Sequence, residues 1–198
     1  MLVIEGGDLV GKTTLAKKLV ARLADEGYVY KHFSRLPDKF DRFWGYVENA
    51  VTRSVQDRFH MSEVMYSEMR GDDTMLCPQR YRMVDGHLRT RGALTVIVTC
   101  DERLLASRAP HEDEMYGRDQ ILAVNSMFER VVQERGQFSH HVHGLYHMDF
   151  DVAVECDDSK PYPDDYDVDH IITSYSRRLA TWQRVMSQEQ YSRRLPTV

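Results

Sequence analysis

Gly6-x-x-x-x-Gly11-Lys12-Thr13 satisfies the G-x-x-x-x-G-K-[ST] pattern in full, and Thr14 follows. In such a loop, glycines expose successive backbone N–H groups that point inward at a helix N-terminus and surround phosphate oxygens. Segment 6–14 therefore predicts an ATP-binding cradle made of Gly6, Gly7, Asp8, Val10, Gly11, Lys12, Thr13 and Thr14. Lys12 is placed to reach the terminal phosphates and Thr13 to set its hydroxyl on Mg2+.

A cradle of this kind needs a strand before it and a helix after it. Leu2-Val3-Ile4 is a short β-prone apolar run, and Leu15, Leu19, Val20 and Leu23 fall on one helical face that Gly27 ends. Further along, 28–34 reads as a strand and 38–50 as a helix carrying Phe40, Phe43, Trp44 and Tyr46. A third strand at 51–56 ends at Asp57-Arg58, with helices at 61–70 and 78–91. The run 93–100 is the clearest buried strand. A helix at 102–108, a charged irregular stretch at 109–118, a helix at 119–135, a strand at 145–156 and a helix at 166–187 complete the chain. Strands alternating with helices predict an α/β fold: a three-layer α/β/α sandwich around a central parallel sheet of about five strands, with a small lid.

The 198 residues suit one domain, 1–198, able to bury roughly 70% of its unfolded surface. The net charge of −5 is uneven: the first hundred residues are almost balanced, and the acidity is concentrated after residue 100. That argues against a broad nucleic-acid footprint, which needs a basic face. No apolar run approaches a bilayer span and the chain opens without a leader pattern, so a cytoplasmic protein is expected. Cys77, Cys100 and Cys156 lack C-x-x-C spacing, which speaks against a disulfide framework or a zinc site built on cysteines.

The loop specifies a nucleoside triphosphate. Neither an N-K-x-D-like guanine reader nor a D-x-x-G switch outside the loop is present, which leaves small kinases. Glu5-Gly6-Gly7-Asp8 with Gly11-Lys12-Thr13-Thr14, then Arg35-Leu36-Pro37, then Asp57-Arg58-Phe59 with Ser62 and Tyr66, resemble three motifs of the thymidylate kinase branch of nucleoside monophosphate kinases, particularly phage-encoded versions. The resemblance implies acceptor-site segments at 35–47 and 57–66. It places Asp8 near the acceptor sugar and phosphate, Arg35 on the acceptor phosphate, Asp57 near magnesium and Arg58 on phosphate. Phe59, Ser62 and Tyr66 line the acceptor side, and Phe40, Phe43 or Trp44 could stack on a base. Fixed guanidinium groups suit this chemistry, because two phosphate-bearing ligands must approach closely and in line.

The stretch of about 108–119 is similar in place to the family's lid, which excludes water and delivers positive charge on closing. Since Leu9 and Val10 follow Asp8, the loop itself carries no arginine, and Arg118 becomes the candidate catalytic cation with Arg108 second, on the ATP side. Lys12, Asp8, Arg58 and Arg118 are thus the expected catalytic set, and Thr13 and Asp57 the expected metal ligands. The implied reaction is ATP plus a deoxynucleoside monophosphate, with dTMP or a modified pyrimidine nucleotide favoured, in a chain that could form a homodimer as its relatives do. A kinase acting on a hydroxyl, of a nucleoside or of a hydroxymethylated pyrimidine in phage DNA, is the alternative; there Asp8 or Asp38 would serve as base. His140, His141, His143 and His147 crowd together without a ligand-spaced carboxylate, and a loop-then-strand geometry would splay them, so they read as exposed polar residues and not as a metal site. The acidic run 149–169 reads as a solvated loop.

Overall fold

Leu2, Val3, Ile4 and Glu5 are all inaccessible to solvent, so the first strand, β1 (Leu2–Gly6), is covered on both faces. The computed structural model describes residues 1–33, 42–74, 76–108 and 116–192. After β1 come α1 (Lys12–Arg22), a 3-10 turn (Ala24–Glu26), β2 (Val29–His32), α2 (Arg42–Asn49), β3 (Ser54–Asp57), α3 (His60–Arg70) and α4 (Pro78–Thr90). Next are β4 (Leu94–Cys100), α5 (Glu102–Ser107), α6 (Arg118–Gln133), β5 (Gln137–His140), β6 (Gly144–His147), β7 (Val152–Cys156) and α7 (Asp165–Ser192).

Five strands form one parallel sheet in the order β2-β3-β1-β4-β7. Side chains alternate across it, so Leu2 and Ile4 enter the apolar layer with Leu15 and Leu19 of α1 and Ile171 and Tyr175 of α7. Val3 points the other way, into the layer with Met61, Val64 and Met65 of α3, Leu88 of α4 and Phe128 of α6. The expected α/β/α sandwich with a five-stranded parallel sheet is what the chain forms.

Two expectations change. The run expected as a single strand over 145–156 is split: Leu145, Tyr146 and His147 pair antiparallel with β5 in a separate hairpin, and only 152–156 join the main sheet. Gly144, at φ 71, lets the chain reverse, and of the β6 residues only Tyr146 is buried, so this short segment cannot serve as a central strand. The third strand begins at Ser54 rather than at 51, because Arg53 adopts φ 56 and breaks the extended run. Among the described residues no helix is long and apolar enough to cross a membrane.

The acids of 149–169 largely organise turns. Asp157 Oδ1 accepts from Ser159 N at 2.8 Å and Lys160 N at 2.9 Å, while Asp164 and Asp167 exchange side chain-to-backbone hydrogen bonds at the start of α7. Those bonds to the charged form hold the Asp157 and Asp164 carboxyls below the usual range.

Candidate active site

The loop between β1 and α1 lies at the carboxyl ends of the parallel strands, where ligands of open α/β sheets bind. Its glycines are dictated by crowding. A Cβ on Gly6, at φ 146, would sit 2.2 Å from the Val98 carbonyl oxygen; one on Gly11, at φ 100, would sit 2.8 Å from Pro163 Cδ. Gly11 is the N-cap of α1, so the first N–H groups of that helix face the loop. Lys12, only 5% exposed, donates from Nζ to the Gly7 carbonyl and is folded over the loop.

Thr13 and Asp57, 44 residues apart in sequence, meet at the tips of α1 and β3: Thr13 Oγ1 donates to Asp57 Oδ2 at 2.6 Å. Tyr30 OH donates to the same oxygen at 2.8 Å, and His32 Nδ1 stands 3.4 Å away. Burial, then the hydrogen bond and charge of Asp57, push the Tyr30 hydroxyl up to about 12, so it stays a donor. Asp57 Oδ1 is fully buried with no hydrogen-bond partner among the described residues. A buried, unsatisfied carboxylate oxygen beside a threonine hydroxyl is a donor set that fits Mg2+, a hard cation that takes one or two protein oxygens and completes its shell with water and phosphate.

On the other side of the loop, Asp8 is gripped by two groups. Arg58 Nη2 contacts Asp8 Oδ1, and Tyr66 OH donates to Asp8 Oδ2 at 2.7 Å. Arg58 follows β3 directly and adopts φ 65, an uncommon conformation for a non-glycine residue; its N–H donates to the Ile4 carbonyl at 2.8 Å. The guanidinium carbon lies 5.5 Å from the Tyr66 ring centroid. Tyr66 stacks on Tyr116 at 5.2 Å, and Arg70 Nη1 donates to Tyr116 OH at 3.1 Å. The result is a guanidinium group and a stacked tyrosine pair beside the loop, with Arg70, itself paired to Asp72, behind Tyr116.

A third wall comes from the end of the chain. Arg108 donates to the carbonyls of Leu9 and Pro161, and its guanidinium carbon lies 4.4 Å from the Tyr162 ring centroid. Lys18 Nζ donates to the Pro163 carbonyl at 3.0 Å. The β7–α7 connection is thereby laid over Gly11, with an exposed aromatic face next to the phosphate cradle.

The remaining sequence candidates are distributed as follows. Val10 is buried in the core, and its carbonyl faces Cys156 Sγ at 3.6 Å; Thr14 is exposed on α1. Arg118 is exposed at the first position of α6. Phe59 is 1% exposed, in edge contact with Phe33 and Tyr46, and belongs to the core. Ser62 is directed at Glu5: its hydroxyl donates to Glu5 Oε2 at 2.6 Å, which fastens α3 to β1. Phe43 is buried, while Trp44 is exposed. Arg35, Asp38, Phe40 and lid residues 109–115 lie outside the described residues.

Tyr30, His32, Arg70, Tyr116 and Tyr162 do not emerge from the motifs. Tyr30 and His32 share one strand face by the two-residue period, and Arg70 shares a helix face with Tyr66 four residues earlier. Those spacings were the available signals. Tyr162 reaches the loop only through the tertiary fold.

No protein-family model matches the chain, and no curated protein matches it in sequence. Among solved structures, the chain is similar to the YorR protein from Bacillus subtilis in complex with phosphorylated GDP, with a TM-score of 0.58, 16% identity, and 99% of each chain covered. It is also similar to polyphosphate kinase 2 from Arthrobacter aurescens TC1, with a TM-score of 0.51, 15% identity, and coverage of 100% of this chain and 70% of that one. At these identities the likeness establishes a shared α/β fold, in which the phosphate loop of this chain sits at the head of a five-stranded parallel sheet.

Proposed function

We propose that the protein is an ATP-dependent, Mg2+-requiring phosphotransferase that converts a deoxynucleoside monophosphate to the diphosphate, with dTMP or a modified pyrimidine nucleotide as acceptor. The observation that carries this reading is the Asp8–Arg58–Tyr66 cluster beside the phosphate loop, across from the Thr13–Asp57 pair. One side offers oxygen ligands for the metal of a nucleoside triphosphate; the other offers cations and stacked rings for a second, anionic ligand. The phosphorylated GDP held by the YorR protein, with which the chain shares its fold, supports a nucleotide ligand.

In the reaction, an acceptor phosphate oxygen bonds to the γ-phosphorus as the bond to the β,γ-bridging oxygen breaks, and ADP leaves with that electron pair. The nucleophile is already an anion, so the protein supplies positioning and charge neutralisation instead of a strong base. Lys12 swings from the Gly7 carbonyl to the terminal phosphates. Arg58, with Arg35, orients the acceptor phosphate; Asp8 keeps Arg58 in place and accepts from the acceptor sugar. Arg108 and Tyr162 clasp the donor base, and Arg118, at the start of α6, neutralises the transferring group. Thr13 and Asp57 would hold Mg2+, which would supply charge neutralisation for the triphosphate. Both Asp8 oxygens are already engaged, one by Arg58 and one by Tyr66, which favours a phosphate acceptor over a hydroxyl.

A coupled ADP-release assay across dTMP, dUMP, hydroxymethylated dUMP, dCMP, dGMP and dAMP, with thymidine and duplex DNA as controls, tests this. Turnover with at least one deoxynucleoside monophosphate is expected. Turnover confined to thymidine or DNA overturns the phosphate-acceptor reading in favour of a hydroxyl kinase.

A further inference from the structure

We propose that Glu68, His140 and His141 form a divalent transition-metal site, best suited to Zn2+, that fastens the β5–β6 hairpin to the C-terminal end of α3. The proposal is independent of the phosphotransferase reading, which uses none of these residues. Their ligand atoms all lie within 4.8 Å of one another. Glu68 Oε2 stands 2.5 Å from His141 Nδ1 and 3.7 Å from His140 Nδ1. Ligands of a tetrahedral zinc ion, at about 2.0–2.2 Å from the metal, are about 3.3 Å apart, so both distances bracket the required value and small side-chain rotations reach it.

The surroundings of His140 prepare it as a ligand. Its side chain is fully buried, and Ser67 Oγ lies 3.1 Å from Nε2. The Ser67 hydroxyl is committed as a donor to the Val64 carbonyl at 2.8 Å, so it must accept, which puts the ring proton on Nε2 and a lone pair on Nδ1. A second hydrogen bond fixing the tautomer of a ligating histidine is what metal sites require. That Nδ1 lone pair now accepts from Val142 N at 3.1 Å, so metal binding exchanges this turn hydrogen bond for a coordinate bond. The rings of His140 and His141 stack at 4.6 Å, and the His143 ring lies 5.5 Å from His140. His143 Nε2 contacts Asp73 Oδ1, so that pair stands next to the three donors without joining them, and water completes the shell. Imidazole and carboxylate donors in this proportion select zinc over magnesium or calcium.

Sequence spacing hides the site because its carboxylate comes from α3, about seventy residues before the histidines. The reversal between β5 and β6, which a continuous strand would not make, is what gathers the imidazoles.

The test uses the whole chain, freed of metal by a chelator and held in excess Mg2+ so that the Thr13–Asp57 pair is occupied. Zn2+ is titrated calorimetrically and Co2+ by its visible absorption. One equivalent of Zn2+ is expected, with a cobalt spectrum of tetrahedral type and a rise in melting temperature. Glu68→Gln and His141→Asn should each weaken Zn2+ binding about tenfold or more, and His147→Asn should leave it unchanged. His141 is partly exposed, so His141→Asn serves if Glu68→Gln fails to fold. Equal affinity in wild type, Glu68→Gln and His141→Asn, or failure of the wild type to take up one saturable equivalent, overturns the site, as does a loss confined to His147→Asn.

Discussion

Asp57 concentrates several demands on one carboxylate: one oxygen accepts from Thr13 and Tyr30, and the other is buried without a partner among the described residues. Such an arrangement is costly until a cation shares it. Asp57→Asn keeps the shape and removes the charge. The expected result is a fall in kcat of about two orders of magnitude with a steeper requirement for Mg2+, read in the coupled assay against Mg2+ concentration. Unchanged kcat and Mg2+ dependence would remove Asp57 from metal binding. Gly11 carries a different constraint. In Gly11→Ala, the new methyl meets Pro163 Cδ at 2.8 Å in a backbone region that L-residues avoid, so the β7–α7 connection must lift off the loop. We expect a higher KM for ATP and a lower melting temperature; wild-type values for both would show that Tyr162 and Pro163 do not shape the donor site. At this scale much was legible, since the phosphate loop, Asp57 and Arg58 are local patterns. Arg70 and Tyr116 were not, because their relation to Asp8 runs through two stacked rings, Tyr66 of α3 and Tyr116 just before α6.

Helix α3 carries Tyr66 and Arg70, so its attachment decides where the Asp8–Arg58–Tyr66 cluster stands. Glu5 on β1 accepts from Met61 N at 2.9 Å, Ser62 N at 3.2 Å and Ser62 Oγ at 2.6 Å, and so caps the helix from the neighbouring strand. Removing it in Glu5→Ala leaves buried donors unsatisfied, and a loss of about 2–4 kcal/mol is expected in denaturant melts. A loss below about 0.5 kcal/mol would show that these bonds are replaceable. Helix α4 is tied in through Asp85, which pairs with Arg89 at 2.8 Å and faces His60 at 3.8 Å. Burial alone would raise the Asp85 carboxyl, but the neighbouring His60 ring and the hydrogen bond and charge of Arg89 outweigh it and hold the group below its usual range. A depressed carboxylate stabilises the fold above its unfolded pKa and loses that contribution as pH falls through the folded value. Asp85→Asn should therefore melt below the wild type at neutral pH, and the gap should close as pH falls below about 4. A gap independent of pH would show that the Asp85 charge does not contribute. The element order was readable from hydrophobic period and glycine stops. The β5–β6 hairpin was not, because a β-prone run does not reveal which strand it pairs with, and the gathering of His140 and His141 beside Glu68 went unread with it.

The sheet joins two apolar layers, and the residues of the phosphate loop reach into both: Val10 packs on the α1–α7 side, while Asp8 bonds to Tyr66 of α3. Arg108 and Pro163 bring the end of the chain onto the same loop. Charge follows this layout. The chain is acidic overall, yet Lys12, Arg58 and Arg108 each contact the β1–α1 loop, whereas many of the late acids are committed to turns or to basic partners such as Lys160. A ligand bound at this loop thus ties together α1, α3 and the β7–α7 connection, and its binding should register as global stability. By mass action, ATP with Mg2+ at about a hundred times its dissociation constant adds about 2.7 kcal/mol, which for a chain of this length raises the melting temperature by about 5–10 °C. Adding dTMP as well, with a non-hydrolysable ATP analogue to prevent turnover, should raise it further than dTMP alone does, because the first ligand orders the walls the second one needs. Differential scanning fluorimetry with each ligand separately and together measures this directly. Strictly additive shifts would mean that the two sides of the loop do not communicate, and no shift with ATP and Mg2+ would remove the phosphate loop from function altogether.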